Sequence, residues 1–421
     1  MHHNGLVRFL LIIAVASLLM DWYVFSGLKT FTKDWKSATW RRVVVWGMPG
    51  LSVAITVLFL VSLGSFRSAR GLLPFHEYVL SLFIVFLLTK LFFVIVLFIG
   101  DISRLFYGLI RGVAHHGKQK DKPFIPARRK FVSEIAILTA AFPFTSLLYA
   151  MIHGKYDYRV HHQTIYFDDL PEAFDGFTIT QISDIHSGSF DNTAAVQRGI
   201  DLANAQKSDL FVFTGDLVNN AAWEIEKYIP HFKKLKAPYG QFSILGNHDY
   251  GDYIEWASDA QKAQNLEKLK QHHKELGYRL LLDENLELEK NGQKISLIGV
   301  QNWGRGFIQK GDLDKALKGV DPNAFKILLS HDPTHWEEKV RFNPTTIHLT
   351  LSGHTHGAQF GVETAGFRWS PVQYTYLDWA GLANEKDRYL YVNRGFGFLA
   401  FSGRLGIWPE ITVITLKKKI A

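Results

Sequence analysis

Phe242-Ser243-Ile244-Leu245-Gly246-Asn247-His248-Asp249 is an apolar run that stops at glycine and then offers an amide, an imidazole and a carboxylate. A run of this kind reads as a β-strand delivering polar side chains to the rim of a pocket. Alone it would be one solvated turn among many. Four further stretches in the same part of the chain repeat its form. Phe177–Ile182 runs into Ser183-Asp184-Ile185-His186, and Phe211-Val212-Phe213-Thr214 into Gly215-Asp216. Ile327-Leu328-Leu329-Ser330 ends at His331, and Ile347–Leu351 at Ser352-Gly353-His354-Thr355-His356-Gly357.

These strands alternate with helical patterns at Ala194–Ala205, Trp223–Leu235 and Ala257–Leu276. Further strands are expected at Thr164–Phe167, Leu210–Thr214, Gly240–Leu245, Ile295–Val300, Lys326–Leu329, Tyr389–Asn393 and Ile411–Leu416. Glu289-Lys290-Asn291-Gly292-Gln293 signals a hairpin. The alternation predicts a layered α/β domain over residues 153–421. Ligands of open α/β sheets gather at the carboxyl ends of strands, where all five polar groups fall. In an extended segment, residues i and i+2 share a face, so Asp184 with His186 and His354 with His356 are expected to point together.

The residues preceding this domain differ in kind. The whole chain is 47% apolar with a mean hydropathy of 0.00 and a net charge of +8. Residues 1–152 hold 17 basic against 6 acidic residues, a balance of +11, whereas 153–421 carry −3. A nucleic-acid protein would place its basic patch on the folded recognition domain, so that class is excluded. Four apolar segments, Leu6–Phe25, Val43–Leu63, Tyr78–Gly100 and Phe131–Ile152, each approach the roughly 20 residues that cross a bilayer. Residues 1–152 are therefore expected to form a four-helix transmembrane region. Lys29, Lys33, Lys36, Arg41 and Arg42 fill the first connection, and Arg104, Arg111, Lys118, Lys120, Lys122, Arg128, Arg129 and Lys130 the third. The second has only Arg67 and Arg70. Basic loops stay in the cytoplasm, which leaves the α/β domain expected outside, on a plasma or inner membrane. Lys90 and Glu134 fall within spans at different depths and are not read as a pair; snorkelling or a buried hydrogen bond is expected for each.

The chain has no cysteine, which removes thiolate metal sites and cysteine nucleophiles. What remains at the strand ends is two carboxylates, one amide oxygen and four imidazoles, with His248 in addition. That is too many ligands for one ion and suits two that share a carboxylate. Oxygen and nitrogen donors favour Mn, Fe or Zn. Two such ions roughly 3.5–4 Å apart clamp a phosphoryl group and turn water into a nucleophile at neutral pH.

The series Asp184-Ile-His186, Gly215-Asp216, Gly246-Asn247-His248-Asp249, Ser330-His331 and Gly353-His354-Thr-His356 resembles the calcineurin-like metallophosphoesterase superfamily. The later Gly357-Ala358-Gln359, Arg394-Gly395-Phe396-Gly397 and Pro409-Glu410 resemble its transmembrane branch. The resemblance implies that Asp184, His186 and His356 hold one metal and Asn247, His331 and His354 the other, with Asp216 bridging. It implies that His248 stabilises the phosphoryl charge and protonates the leaving oxygen, and that Asp249 orients His248. Ala358 and Asn219 depart from the family pattern, which puts substrate contacts rather than catalysis in question. His272-His273, in a charged helix, is expected on a solvated face.

The expected activity is hydrolysis of a phosphoester, a phosphodiester or pyrophosphate before others, carried on a lipid. Apolar Phe396, Phe398, Leu399, Phe401 and Trp408 are expected either to meet that lipid or to pack under the sheet. A metal-binding sensor with a weakly active site is the alternative. With Lys90 and Glu134 read as their buried charges, the spans offer little of a transporter's polar pathway.

Overall fold

The computed structural model describes residues 3–66, 74–114 and 126–419. Arg67, Arg70, His115, His116, Lys118, Lys120 and Lys122 lie outside them, and with them part of the loop-charge pattern. The chain divides into two compact units, a helical one that ends at Tyr149 and an α/β one that runs from Ala150 onward and also takes in the stretch up to Glu77 that precedes Tyr78.

The helical unit is built on α1 (His3–Phe31), α2 (Ala38–Phe66), α3 (Pro74–Ala114) and α4 (Pro126–Ile152). All four are long and apolar enough to cross a membrane. The helices run beyond the expected spans; α2 and α4 start earlier, with Arg41 and Arg129 in polar first turns ahead of the apolar runs. Val24, Leu28, Val45, Phe93, Leu97 and Ala136 pack together from all four helices. Lys90 is not alone. Its Nζ lies 3.0 Å from Asp21 Oδ1, and it donates to Ser17 Oγ at 2.6 Å and Ser17 O at 2.9 Å. Of the two expected readings of Lys90 the buried hydrogen bond holds, and Asp21, at the end of the first apolar run, adds an ion pair in the same bundle interior that was not foreseen.

In the α/β unit, the alternating runs fold as two six-stranded sheets. One has the order β1 (Arg159–Phe167), β14 (Glu410–Lys418), β2 (Thr178–Ile182), β3 (Leu210–Phe213), β4 (Gln241–Ser243), β5 (Arg279–Leu280). The other runs β12 (Gly381–Glu385), β13 (Arg388–Val392), β9 (Leu349–Ser352), β8 (Phe325–Leu329), β7 (Gln293–Gly299), β6 (Glu284–Lys290). A separate hairpin, β10 (Val362–Thr364) and β11 (Phe367–Trp369), lies between them in sequence.

The two-residue period of a strand sorts its side chains into layers. Val212 and Ile327 join Ile179, Leu297 and Leu351 in a core shared by both sheets. Phe211 and Phe213 face the other way, onto α5 (Thr193–Ala205) and α7 (Asp259–Leu276), through Val196, Ile200, Leu269 and Leu276. Leu328 faces Trp336 of α9 (Pro333–Glu338) and Val340 on the outside of the second sheet. The result is an α/β/β/α arrangement in which strands are apolar on both faces, as parallel central strands require. Each such fully buried side chain contributes about 1.5–3 kcal/mol.

Several expectations are corrected. Trp223–Leu235 is not one helix. It is a 3-10 segment, Ala222–Tyr228, followed by the short α6 (Ile229–Phe232), because Pro230 has no N–H to continue the ladder. The short α8 (Leu313–Ala316) and the β10–β11 hairpin carry no clear periodicity. β1 begins at Arg159 rather than Thr164; as an edge strand exposed at its start, it shows no apolar alternation there. His272 and His273 are buried, not solvated, and the ring of His273 bonds Ser243 Oγ at 2.9 Å. Of the two readings of the late aromatics, packing under the sheet holds for Phe396 and Phe398, which are fully buried with Phe211, Phe213, Val196 and Ile200.

Below β13 and β14 lies a buried charge pair. Glu410 takes Arg394 Nη1 at 2.5 Å, Tyr391 Oη at 2.7 Å and Thr412 Oγ1 at 2.6 Å. Burial opposes ionisation of Glu410, but Arg394 prevails and holds its carboxyl at about 2. A depressed carboxyl stabilises the fold fully above its ordinary value and loses that contribution as pH falls towards 2. We expect the thermal midpoint of the full chain to decline steeply between pH 4.5 and 2. Glu410→Gln, which strands Arg394, costs about 3–5 kcal/mol, a fall of roughly 10 °C at about 2–4 °C per kcal/mol.

Candidate active site

The site lies where β2, β3, β4, β8 and β9 end, and its backbone is bent in an unusual way. Asp184, His186, Asp216, His354 and His356 all have positive φ, from 46° to 75°. The expected extended i, i+2 geometry is therefore wrong: each pair leaves its strand through a left-handed turn. Such turns cost of order 1–3 kcal/mol each and persist only where surrounding structure holds them. Here the loops are stitched together. Asp184 N–H donates to Gly215 O at 2.9 Å and His186 N–H to Asp216 O at 3.1 Å.

Asp249 is the strongest of these stitches. Its carboxylate accepts from the backbone N–H groups of Gly246 and Asp216, both at 2.9 Å, and Leu217 at 2.8 Å. It makes no bond to the His248 ring. The expectation that Asp249 orients His248 is replaced: the ring nitrogen Nδ1 of His248 lies 2.7 Å from the Asn219 carbonyl. Glycine is needed where loops close on carboxylates. A Cβ at Gly246 would collide with Asp216 Oδ1, and one at Gly353 with Ser183 Oγ and Asp184 Oδ2.

The chain brings its seven expected ligands together. Ligand atoms of Asp184, His186 and His356 lie within 4.8 Å of one another, and so do those of Asp216, His331 and His354. Asp216 Oδ2 faces both groups, 3.5 Å from His186 Nε2 and 3.2 Å from His331 Nε2. Asn247 Oδ1 lies 3.1 Å from His331 Nε2 and 2.8 Å from His354 Nδ1. His186 Nε2 and His356 Nε2 are buried without a hydrogen-bond partner among the described residues. Buried lone pairs facing carboxylates across gaps of this size fit cations.

The other nitrogen of each ring decides which one is offered. His186 Nδ1 bonds Asn219 Oδ1 at 3.1 Å, and His331 Nδ1 bonds Thr214 O at 2.7 Å. Both leave Nε2 turned inward. His354 is reversed, with Nε2 on Tyr376 Oη at 2.8 Å and Nδ1 inward. Asn247 Nδ2 donates to Tyr253 Oη at 2.7 Å, which turns its oxygen inward. His356 differs, since Nδ1 faces the donor Arg404 Nη2 at 3.0 Å. That contact must loosen for Nε2 to take a cation as neutral imidazole.

Charges at the site are set by burial and by one another. Burial pushes Asp184 up to about 6 and Asp249 to about 7, and pulls His186 down to about 3 and His354 to about 4. Burial also opposes charge on Asp216 and His331. Their mutual attraction prevails, holding Asp216 well below the carboxylate range and raising His331 to about 10.

Asn219, Tyr253, Tyr376 and Arg404 were not foreseen as site residues. Asn219 drew notice only as a departure from an acidic pattern, yet it touches both His186 and His248. Outer partners of metal ligands change affinity by about 10–100-fold when removed. We expect Asn219→Leu to weaken divalent-metal binding by that factor, read by calorimetric titration.

Comparison with known proteins adds relatives. A family profile described as "Probable Calcineurin-like phosphoesterase, transmembrane domain" matches residues 7–155. A second, "Calcineurin-like phosphoesterase", matches 177–358. The chain is 31% identical over 250 residues to the "Uncharacterized metallophosphoesterase YkuE" of Bacillus subtilis, covering 59% of this chain and 82% of that protein. It is 26% identical to the "Transmembrane protein with metallophosphoesterase domain" of Danio rerio, covering 64% of this chain and 60% of the relative. It is 28% identical to the "UDP-2,3-diacylglucosamine pyrophosphatase LpxG" of Chlamydia trachomatis, covering 54% and 81%.

Proposed function

This chain belongs to the calcineurin-like phosphoesterases, in the branch with a four-helix transmembrane domain, and from that premise we propose that it hydrolyses a phosphodiester or pyrophosphate bond carried on a lipid. The observation that carries this reading is Asp216, set between two groups of buried metal-ligand side chains at the ends of parallel strands.

Two divalent ions held by these groups would draw charge from the phosphoryl oxygens and make water nucleophilic near neutral pH. Asp184, His186 and His356 form one cradle, Asn247, His331 and His354 the other, and Asp216 serves both. His248 stands at the rim with its ring 4.9 Å from that of His186 and 4.4 Å from that of Tyr253, which is tilted by 36° against it. With Nδ1 held by the Asn219 carbonyl, Nε2 is the nitrogen that reaches substrate. Charged, it steadies the phosphoryl oxygens and hands its proton to the leaving oxygen.

The preference for a lipid rests on the rim. Tyr376, in contact with His354, is flanked by Tyr374 and Leu377, which are 79% and 73% exposed. Phe367, on β11 just before them, is 59% exposed. Apolar side chains left open beside a polar site mark a surface for an apolar ligand. The relative LpxG is named for a diacylated substrate, and the four apolar helices keep this chain at a bilayer. The basic first connection favours a catalytic domain outside the cytoplasm.

We expect Leu377→Asp with Tyr374→Asp to raise KM for an acylated phosphodiester in mixed micelles. Burial of one such side chain is worth about 1.5–3 kcal/mol, a factor of roughly 10–100. Hydrolysis of soluble bis-p-nitrophenyl phosphate should be unchanged. Equal loss on both substrates would remove the lipid preference while leaving the hydrolase.

A further inference from the structure

The helical unit holds a partly open cavity of about 280 Å³ whose wall is drawn from all four helices. Leu28, Met48, Phe86, Phe93 and Ile137 make most of it apolar. Its polar part is confined to Asp21 and Lys90 with Ser52 and Thr89 beside them. Ionisable residues buried between membrane helices are costly and mark sites.

The ammonium of Lys90 has its three hydrogens committed to Asp21, Ser17 Oγ and Ser17 O, so none remains for a phosphate or carboxylate. The pair is neutral in sum. In contrast, Ser52 Oγ and Thr89 Oγ1 are buried without a hydrogen-bond partner among the described residues. Two idle hydroxyls call for a ligand that both donates and accepts. Pro49 also lines the cavity, and having no N–H it cannot serve the Val45 carbonyl one turn back. We infer that this cavity binds a neutral single-chain amphiphile, with a hydroxyl or amide head at Ser52 and Thr89 and its chain along the apolar wall. The volume lies just below the roughly 300–1,000 Å³ of ligand pockets, room for one chain and not two. This site is separate from the phosphoesterase site and does not depend on its chemistry.

The test uses the full chain in lipid nanodiscs and a dodecanoyl glycerol carrying a photoreactive diazirine on its chain. Labelling is expected to be saturable, to map to cavity residues such as Met48 and Phe93, and to be competed by unlabelled dodecanoyl glycerol but not by dodecyl phosphate. Ser52→Ala with Thr89→Val should weaken binding roughly tenfold or more, since each lost hydrogen bond removes part of the affinity. Ala140→Phe, which fills the cavity and leaves both hydroxyls in place, should abolish labelling by a separate route. Labelling confined to lipid-facing residues such as Trp22, or undiminished in either variant, would overturn the assignment. So would competition by dodecyl phosphate equal to that by the glycerol ester.

Discussion

Asp216→Asn is expected to lower kcat for phosphoester hydrolysis about a thousandfold and to cut bound metal from two ions per chain to one or fewer. The asparagine keeps an oxygen where Asp216 Oδ1 accepts the His248 N–H at 2.9 Å, so the turn survives. What is lost is the negative charge between His186 and His331. Ions that stabilise developing phosphoryl charge are worth several kcal/mol, and each ~1.4 kcal/mol is tenfold in rate. Because Asp216 faces both groups, both metal equivalents should weaken in a titration. Retention of two ions with full activity would contradict the bridging role.

His248→Ala is expected to leave the metal content unchanged and to lower kcat by roughly 10²–10⁴-fold, the usual contribution of a positioned proton donor. Its ring is held by Tyr253 and the Asn219 carbonyl and meets the His186 ring edge to face without supplying a ligand atom itself, so the metal cradle should persist. The effect should depend on the leaving group. A p-nitrophenolate departs with little need of a proton, so the variant should lose less on that substrate than on an alkyl phosphodiester. An equal loss on both would assign His248 to phosphoryl charge alone.

Much of this site was legible because its chemistry is written at strand ends. An apolar run ending in Asp or His is a local pattern, and five such runs in order place their polar groups on one edge of the sheets. The layered α/β class followed from the same alternation. The roles of neighbours were less legible, and for a physical reason. His248 and Asp249 are adjacent in sequence, which made the pairing attractive, but the turn sends Asp249 back towards Asp216 N–H and His248 out to the rim. The residue that holds His248 comes from another loop, and it acts through its backbone carbonyl, which no side-chain pattern reveals.

The same limit explains the membrane bundle. Lys90 and Asp21 are 69 residues apart on different helices, and only packing brings them to 3.0 Å. Burial of His273 is likewise a matter of packing. α7 is charged along most of its length, yet His273 and Leu269 share the face that meets the sheet. Composition averaged over the helix hides a narrow buried stripe. The late aromatics Phe396 and Phe398 illustrate the converse, an apolar cluster that serves the core.

The account turns on metal-dependent hydrolysis at one site, and an add-back titration tests it most directly. The full chain is stripped with chelator, and Mn, Fe or Zn is returned while bound metal and hydrolysis of a phosphodiester panel are measured together. Activity should be absent from the stripped protein and return as the content approaches two ions per chain. Hydrolysis that persists in the stripped protein, or metal that binds without restoring it, would contradict the account.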